Sequence, residues 1–151
     1  MSEQPNVMGA LKAEKTGEGS NKSFEEIIRE DSSRQGQNPE QVFKKIAGMK
    51  KQNPQTKTIQ IGSTVFLVTQ VAPKTVEAHI FTSEPPKVIA QRYVSLVNML
   101  KSQGMNKGYT YSDQPGFKKI AEMTGLPVKV TQTVKLIGEE IKPVYMFELD
   151  F

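Results

Sequence analysis

The stretch Thr58–Gly104, TIQIGSTVFLVTQVAPKTVEAHIFTSEPPKVIAQRYVSLVNMLKSQG, decides the fold. Its first part is rich in β-branched residues. It is interrupted at Gly62-Ser63 and again at Ala72-Pro73, the punctuation of a three-strand meander. The third strand, Thr75 to Ser83, then runs straight into a long helix. Ile89, Tyr93, Leu96, Val97 and Leu100 fall at helical spacing and make one apolar stripe. Gly104 stops that helix as the residue past its C-cap. In α/β proteins, ligands often bind where a strand ends and a helix begins. The turn here is Thr82-Ser83-Glu84-Pro85-Pro86, with two prolines and no glycine.

Upstream, SFEEIIRE opens with a capping box, Ser23 and Glu26, ahead of Phe24, Ile27 and Ile28. A second helix starts at Asn38 as cap and Pro39 at the first helical position. Val42, Phe43, Ile46 and Ala47 form its apolar face, and Asn53-Pro54 ends it. Downstream, KGYTYS is a short strand and SDQPGFKKIAEMTG a fourth helix, with Phe117, Ile120 and Ala121 inward and Gly125 closing it. VKVTQTVKL and IKPVYMFELDF form a last hairpin turning through Ile137 to Glu140. Val128, Val130, Val134 and Leu136 share one face of its first strand. The order is α-α-β-β-β-α-β-α-β-β, an α/β chain with a mixed sheet.

The chain of 151 residues suits one domain, and at this size roughly 70% of the unfolded surface can be buried without staples. It has no Cys, hence no disulfide and no thiolate chemistry, as expected in a reducing compartment. Residues 1–22 are polar and read as a flexible N-terminal arm, leaving 23–151 as the single domain. The arm has no apolar core of a secretory leader, so secretion by a signal peptide is not expected. No apolar run is long enough for a membrane span. The net charge of +4 permits an anionic partner without demanding one.

The element order resembles the GNAT acyltransferase fold over Ser23 to Phe151, although the family's first strand has no obvious counterpart. The most specific local piece is PGFKKIAEMTGLPVKVTQTV. It is similar to the family's fourth-helix motif, an amphipathic helix ending in Gly and a large apolar residue, here Gly125 and Leu126. The resemblance implies an acetyl-CoA site at the turn between the fourth family strand and the long helix. There, backbone N–H groups and the helix dipole hold the pyrophosphate. It also implies a general base from that strand, for which Glu77 is the candidate. A Tyr general acid is implied four residues before the terminal glycine of the fourth helix.

Two residue patterns run against that chemistry. Pro85 and Pro86 have no N–H to give, and Glu84 adds a negative charge at the turn. The turn Ser83, Glu84, Pro85, Pro86 therefore reads as a degenerate cofactor site: Ser83 or Glu84 caps the helix and proline starts it. Ala121 stands where the acid would be. GNAT-like domains without the cofactor turn occur among virion-associated proteins of tailed bacteriophages, and the chain resembles that group. The leading expectation is thus a non-catalytic structural or interaction protein with no cofactor, a component of a phage virion. It would be located in the particle and, during assembly, in the host cytoplasm. Its partners would be other virion or assembly proteins, and it would be oligomeric. Two alternatives stand beside it. One is an N-acetyltransferase with a divergent acetyl-CoA site and Glu77 as base. The other is a nucleic-acid-binding accessory protein.

Other candidates carry less. His79 is the only histidine and lacks the companions of a zinc site. It shares a strand face with Glu77 and reads as a half-exposed strand residue. Tyr109 and Tyr111 share a face, available for stacking or for packing. Lys44-Lys45, Lys50-Lys51 and Lys118-Lys119 are basic pairs on solvated helix faces, open to nucleic acid. Glu148 and Asp150 share a strand face near the C-terminus. No phosphate-binding loop or nucleophile triad is visible.

Overall fold

The computed structural model describes residues 15–16, 22–137 and 139–151. In chain order the elements are β1 (Lys15–Thr16), α1 (Phe24–Arg34), α2 (Pro39–Gln52), β2 (Thr56–Ile61), β3 (Thr64–Ala72) and β4 (Thr75–Thr82). After them come α3 (Pro86–Ser102), β5 (Lys107–Ser112), α4 (Phe117–Met123), β6 (Lys129–Ile137) and β7 (Glu140–Asp150). The expected α/β order stands, with β1 added. Two residues of strand leave no periodic signal, which is why the sequence does not show it. Most of the expected arm, 1–22, lies outside the described residues.

The strands form one mixed sheet in the order β1-β2-β3-β4-β5-β7-β6. β2 to β4 are the antiparallel meander, and β4 and β5 meet in parallel at the centre. Helices cover both faces. On one face Ile28, Ile46 and Leu67 pack with Phe24, Val42, Phe43 and Phe81, seating α1 and α2. On the other, Ile59, Ile61, Phe66, Val68, Leu96 and Leu100 seat α3. Ile89, Ala90 and Ile120 join α3 to α4. The sheet is therefore buried on both sides through its centre: Val65 to Val68 are each at most 1% exposed. Ala47, expected in the core, is exposed, and Met49 packs in its place.

Local signals work as read. Ser23 and Glu26 make a reciprocal capping box, and Asn38 caps α2 ahead of Pro39. Gly104 and Gly125 take positive φ just past α3 and α4. The expected shared face of Val130, Val134 and Leu136 is largely exposed, and Ile141 joins it across the hairpin.

Gly62 matters most among the glycines. It turns the β2–β3 hairpin at φ +61, and a Cβ there would lie 2.3 Å from the Arg92 guanidinium. Gly62→Ala is expected to cost about 1–3 kcal/mol, from left-handed strain and displacement of a held side chain. Urea denaturation with an unchanged slope would measure it.

Candidate functional site

β4 and β5 are hydrogen-bonded neighbours only from Thr75↔Lys107 to Glu77↔Tyr109. One residue further, the ladder is replaced by a side chain: the Thr110 hydroxyl donates to the Ala78 carbonyl at 2.6 Å. Beyond that point the strands are no longer paired. A central sheet that parts between parallel strands exposes backbone donors and acceptors in its middle, a place where an extended ligand can pair with them.

Charged and aromatic groups gather at this seam, on the α1–α2 side of the sheet. Register partners share a face, so Glu77, His79, Tyr109 and Tyr111 stand together. His79 Nε2 lies 3.4 Å from Glu77 Oε2. Lys135 reaches over from β6, 3.5 Å from the same carboxylate oxygen and 4.0 Å above the Tyr111 ring. Tyr109 and Tyr111 meet edge to face at 5.6 Å. The Glu77 side chain is 19% exposed, reachable but largely shielded. The sequence places Glu77 and His79 on one face and the two tyrosines on another strand's face; the structure brings the two pairs together. It also adds Lys135, 58 residues from Glu77.

Burial holds the His79 imidazole below its ordinary value of 6.5; Glu77 pulls it up, and Lys135 and Lys45 push it down. The ring is therefore neutral at pH 7 and able to accept a proton. Because the folded-state value is the depressed one, the unfolded chain takes up the proton first. Stability is then complete above 6.5 and declines as pH falls below it. His79→Gln is expected to flatten the pH dependence of the urea midpoint below 6.5, leaving values above it nearly unchanged. Burial, with Glu77 and Tyr111, pushes Tyr109 above its ordinary value, so its phenol keeps its proton.

The β4–α3 turn departs from the expected cap. Pro85 is the N-cap and makes no side-chain cap bond; Pro86 is the first helical residue. Ser83 instead donates to Glu30 at 2.8 Å. Glu84 turns away from the helix end. Its carboxylate takes Arg92 Nε at 3.0 Å and a second guanidinium nitrogen at 2.9 Å, and it accepts from Thr64 Oγ1 at 2.5 Å. Burial pushes the Glu84 carboxyl up, but the hydrogen bonds from Arg92 and Thr64 prevail and hold it below its ordinary value. The charge expected to repel an anion is thus compensated by a bidentate partner. The first turn of α3 contains Lys87 and no acid. Val88 and Ile89 N–H both bond the Pro85 carbonyl. The first turn therefore offers few backbone donors, and the cation of Lys87.

α1 holds this turn in place. Buried Asp31 accepts from the Thr82 N–H at 3.2 Å and from Arg34 at 2.8 Å, and Arg34 also donates to the Thr82 carbonyl.

Other expected candidates do not converge. Lys44-Lys45 lie on α2 and Lys118-Lys119 on α4, on opposite faces of the sheet. Lys50 bonds Thr58, and Lys118 sits over the Tyr145 ring. Glu148 pairs with Lys107 at 2.7 Å. Ala121 is buried on α4. Among the described residues no group of His, Cys, Asp and Glu is placed to hold a metal ion. No described helix is long and apolar enough to cross a membrane.

Comparison by sequence finds no family model and no curated protein that matches the chain. Comparison by structure does find likenesses. The α-N-protein acetyltransferase RimL in complex with coenzyme A superposes with a TM-score of 0.59 at 10% identity, over 85% of this chain and 86% of that one. The microcin C7 self-immunity acetyltransferase MccE, in complex with acetyl-CoA and AMP, gives 0.58 at 10% identity over 85% of each chain. A spermidine N-acetyltransferase chimera from Vibrio cholerae gives 0.52 at 8% identity, over 75% of this chain and 76% of that one. These likenesses show a GNAT-like fold. They also correct the leading expectation of a non-catalytic virion component. All three of these similar structures are acetyltransferases, two of the three holding coenzyme A or acetyl-CoA, and the Glu84 charge that argued against such a ligand is already paired with Arg92.

Proposed function

We propose that the protein is an N-acyltransferase that takes its acyl group from an acyl-CoA thioester and uses a divergent binding turn. The observation that carries the proposal is the placement of Glu77. It is a shielded carboxylate on the last hydrogen-bonded pair before β4 and β5 part, with neutral His79 and Tyr109 beside it.

The chemistry follows from those positions. The pantetheine arm lies at the seam, pairing with strand groups freed where the β4–β5 ladder stops. An amine approaches from the α1–α2 side. Its nitrogen attacks the thioester carbonyl carbon, the C–S bond breaks, and the thiolate leaves. Glu77, directly or through His79, accepts the proton the nitrogen must lose. Tyr109, protonated at neutral pH, is the donor available to the departing thiolate. Ala121 supplies nothing, so the donor expected from the fourth helix is replaced from β5. Lys135 balances the charge of Glu77 and stacks on Tyr111, closing the site from the β6–β7 hairpin.

The turn fits the pyrophosphate only in part. Pro85 and Pro86 offer no N–H, which leaves Lys87 as the main anion contact at the helix start. Most of the affinity then comes from the pantetheine and acyl end. Calorimetric titration with acetyl-CoA tests the reading: saturable binding in the micromolar range is expected, and no heat at high micromolar ligand would remove it. Lys87→Glu is expected to weaken binding about ten-fold, with the wild-type affinity falling only gently as salt rises.

A further inference from the structure

A cavity of about 80 Å³ lies between α3 and α4 above β5 and β7. Ala78, Tyr93, Leu96, Thr110, Ala121 and Phe147 are among its walls. It is several times larger than the space one water occupies. Water held there would need two to four polar partners, and the walls do not provide them. The Thr110 hydroxyl is committed to the Ala78 carbonyl, and the Thr124 hydroxyl to the Ala121 carbonyl. The Tyr93 hydroxyl is buried behind the walls beside the Thr110 hydroxyl; burial pushes its phenol far up and Thr110 pulls it partly back. The cavity thus suits an apolar chain.

Its position names the ligand. Ala78 and Thr110 mark the end of the β4–β5 pairing, and both line the cavity. A thioester at the seam would present its alkyl chain to that opening. We propose that the cavity holds the chain of the transferred acyl group and that the substrate is an acyl-CoA longer than acetyl. This rests on the acyltransferase reading and specifies its donor. On the scale where about 150 Å³ takes a benzene, this space takes roughly three carbons beyond an acetyl methyl. Each buried methylene is worth about four-fold in affinity.

The test is calorimetry with coenzyme A, acetyl-CoA, butyryl-CoA, pentanoyl-CoA and octanoyl-CoA. Butyryl-CoA is expected to bind about fifteen-fold tighter than acetyl-CoA, with the gain levelling off near pentanoyl. Ala121→Leu is expected to erase the gain while leaving coenzyme A affinity unchanged. Should that variant not fold, the wild-type series alone decides. If coenzyme A binds and chain length makes no difference, this inference is overturned and the acyltransferase reading survives. If no member of the series binds, both fall. Pentanoate alone, binding in the absence of any chain-length effect among the thioesters, would instead mark the cavity as a site for free short-chain acids and overturn the proposal.

Discussion

Glu77→Gln is expected to lower kcat/KM for acyl transfer by about 10²–10⁴-fold, the range that general acid–base catalysis supplies. The substitution keeps size and hydrogen-bonding capacity and removes the proton acceptor. Affinity for coenzyme A should stay within about two-fold, because the cofactor does not depend on that charge. The loss should sit in kcat. His79 separates the two routes for the proton. If His79 relays it, His79→Gln lowers kcat by a comparable factor and removes an acidic limb that lies below 6.5 in the wild type. If Glu77 takes it directly, His79→Gln leaves kcat within a few-fold. Steady-state rates from pH 5 to 9 with a saturating amine distinguish the two.

Arg92→Ala is expected to destabilise the fold by about 2–4 kcal/mol, a large part of a typical domain's margin. The Glu84 and Arg92 side chains are only 16% and 17% exposed. Removing the guanidinium leaves a shielded carboxylate without its bidentate partner and opens space beside Gly62. The penalty of an uncompensated charge exceeds what the pair itself contributes. The double variant Arg92→Ala/Glu84→Gln should therefore recover at least half of the loss, and denaturant titration of the four proteins in the cycle gives the coupling. A second consequence is functional. Glu84 released from Arg92 would swing its charge toward the start of α3, so Arg92→Ala should also weaken acyl-CoA binding, and the double variant should not.

These two residues show where the sequence is legible and where it stops. The capping box at Ser23, the N-cap at Asn38, the stripe from Ile89 to Leu100 and the hairpin at Gly62 are local patterns, with partners a few residues apart. They read correctly and define the fold. Glu84 is different. In sequence it is a carboxylate at a helix start, and either capping or repulsion of an anion follows from that. Its actual partners are Arg92, two helical turns on, and Thr64, on another strand. Both depend on how α3 lies against the β2–β3 hairpin, which only Gly62 allows. Read without its partner, the Glu84 charge argues against an anion more strongly than the paired side chain does.

The candidate cluster around Glu77 behaves the same way. Alternation shows that Glu77 and His79 share a face, and that Tyr109 and Tyr111 do. That these faces coincide follows from the parallel β4–β5 register. Lys135 arrives only because the β6–β7 hairpin extends past the end of β5 and returns over the seam. Tyr93 reads as one more member of an apolar stripe, which it is. That its hydroxyl lies buried beside Thr110 becomes visible only when its neighbours are placed.

The most direct measurement uses the composition of the chain itself. With no Cys, the protein gives no background with a thiol-reactive chromogenic reagent, so released coenzyme A is the only signal. Acetyl-, butyryl- and pentanoyl-CoA are each mixed with the protein and a panel of primary amines. The account predicts amine-dependent release of coenzyme A, faster with the longer chains, and lost in Glu77→Gln. No release above the uncatalysed rate from any thioester with any amine, or release unchanged by Glu77→Gln, would contradict it.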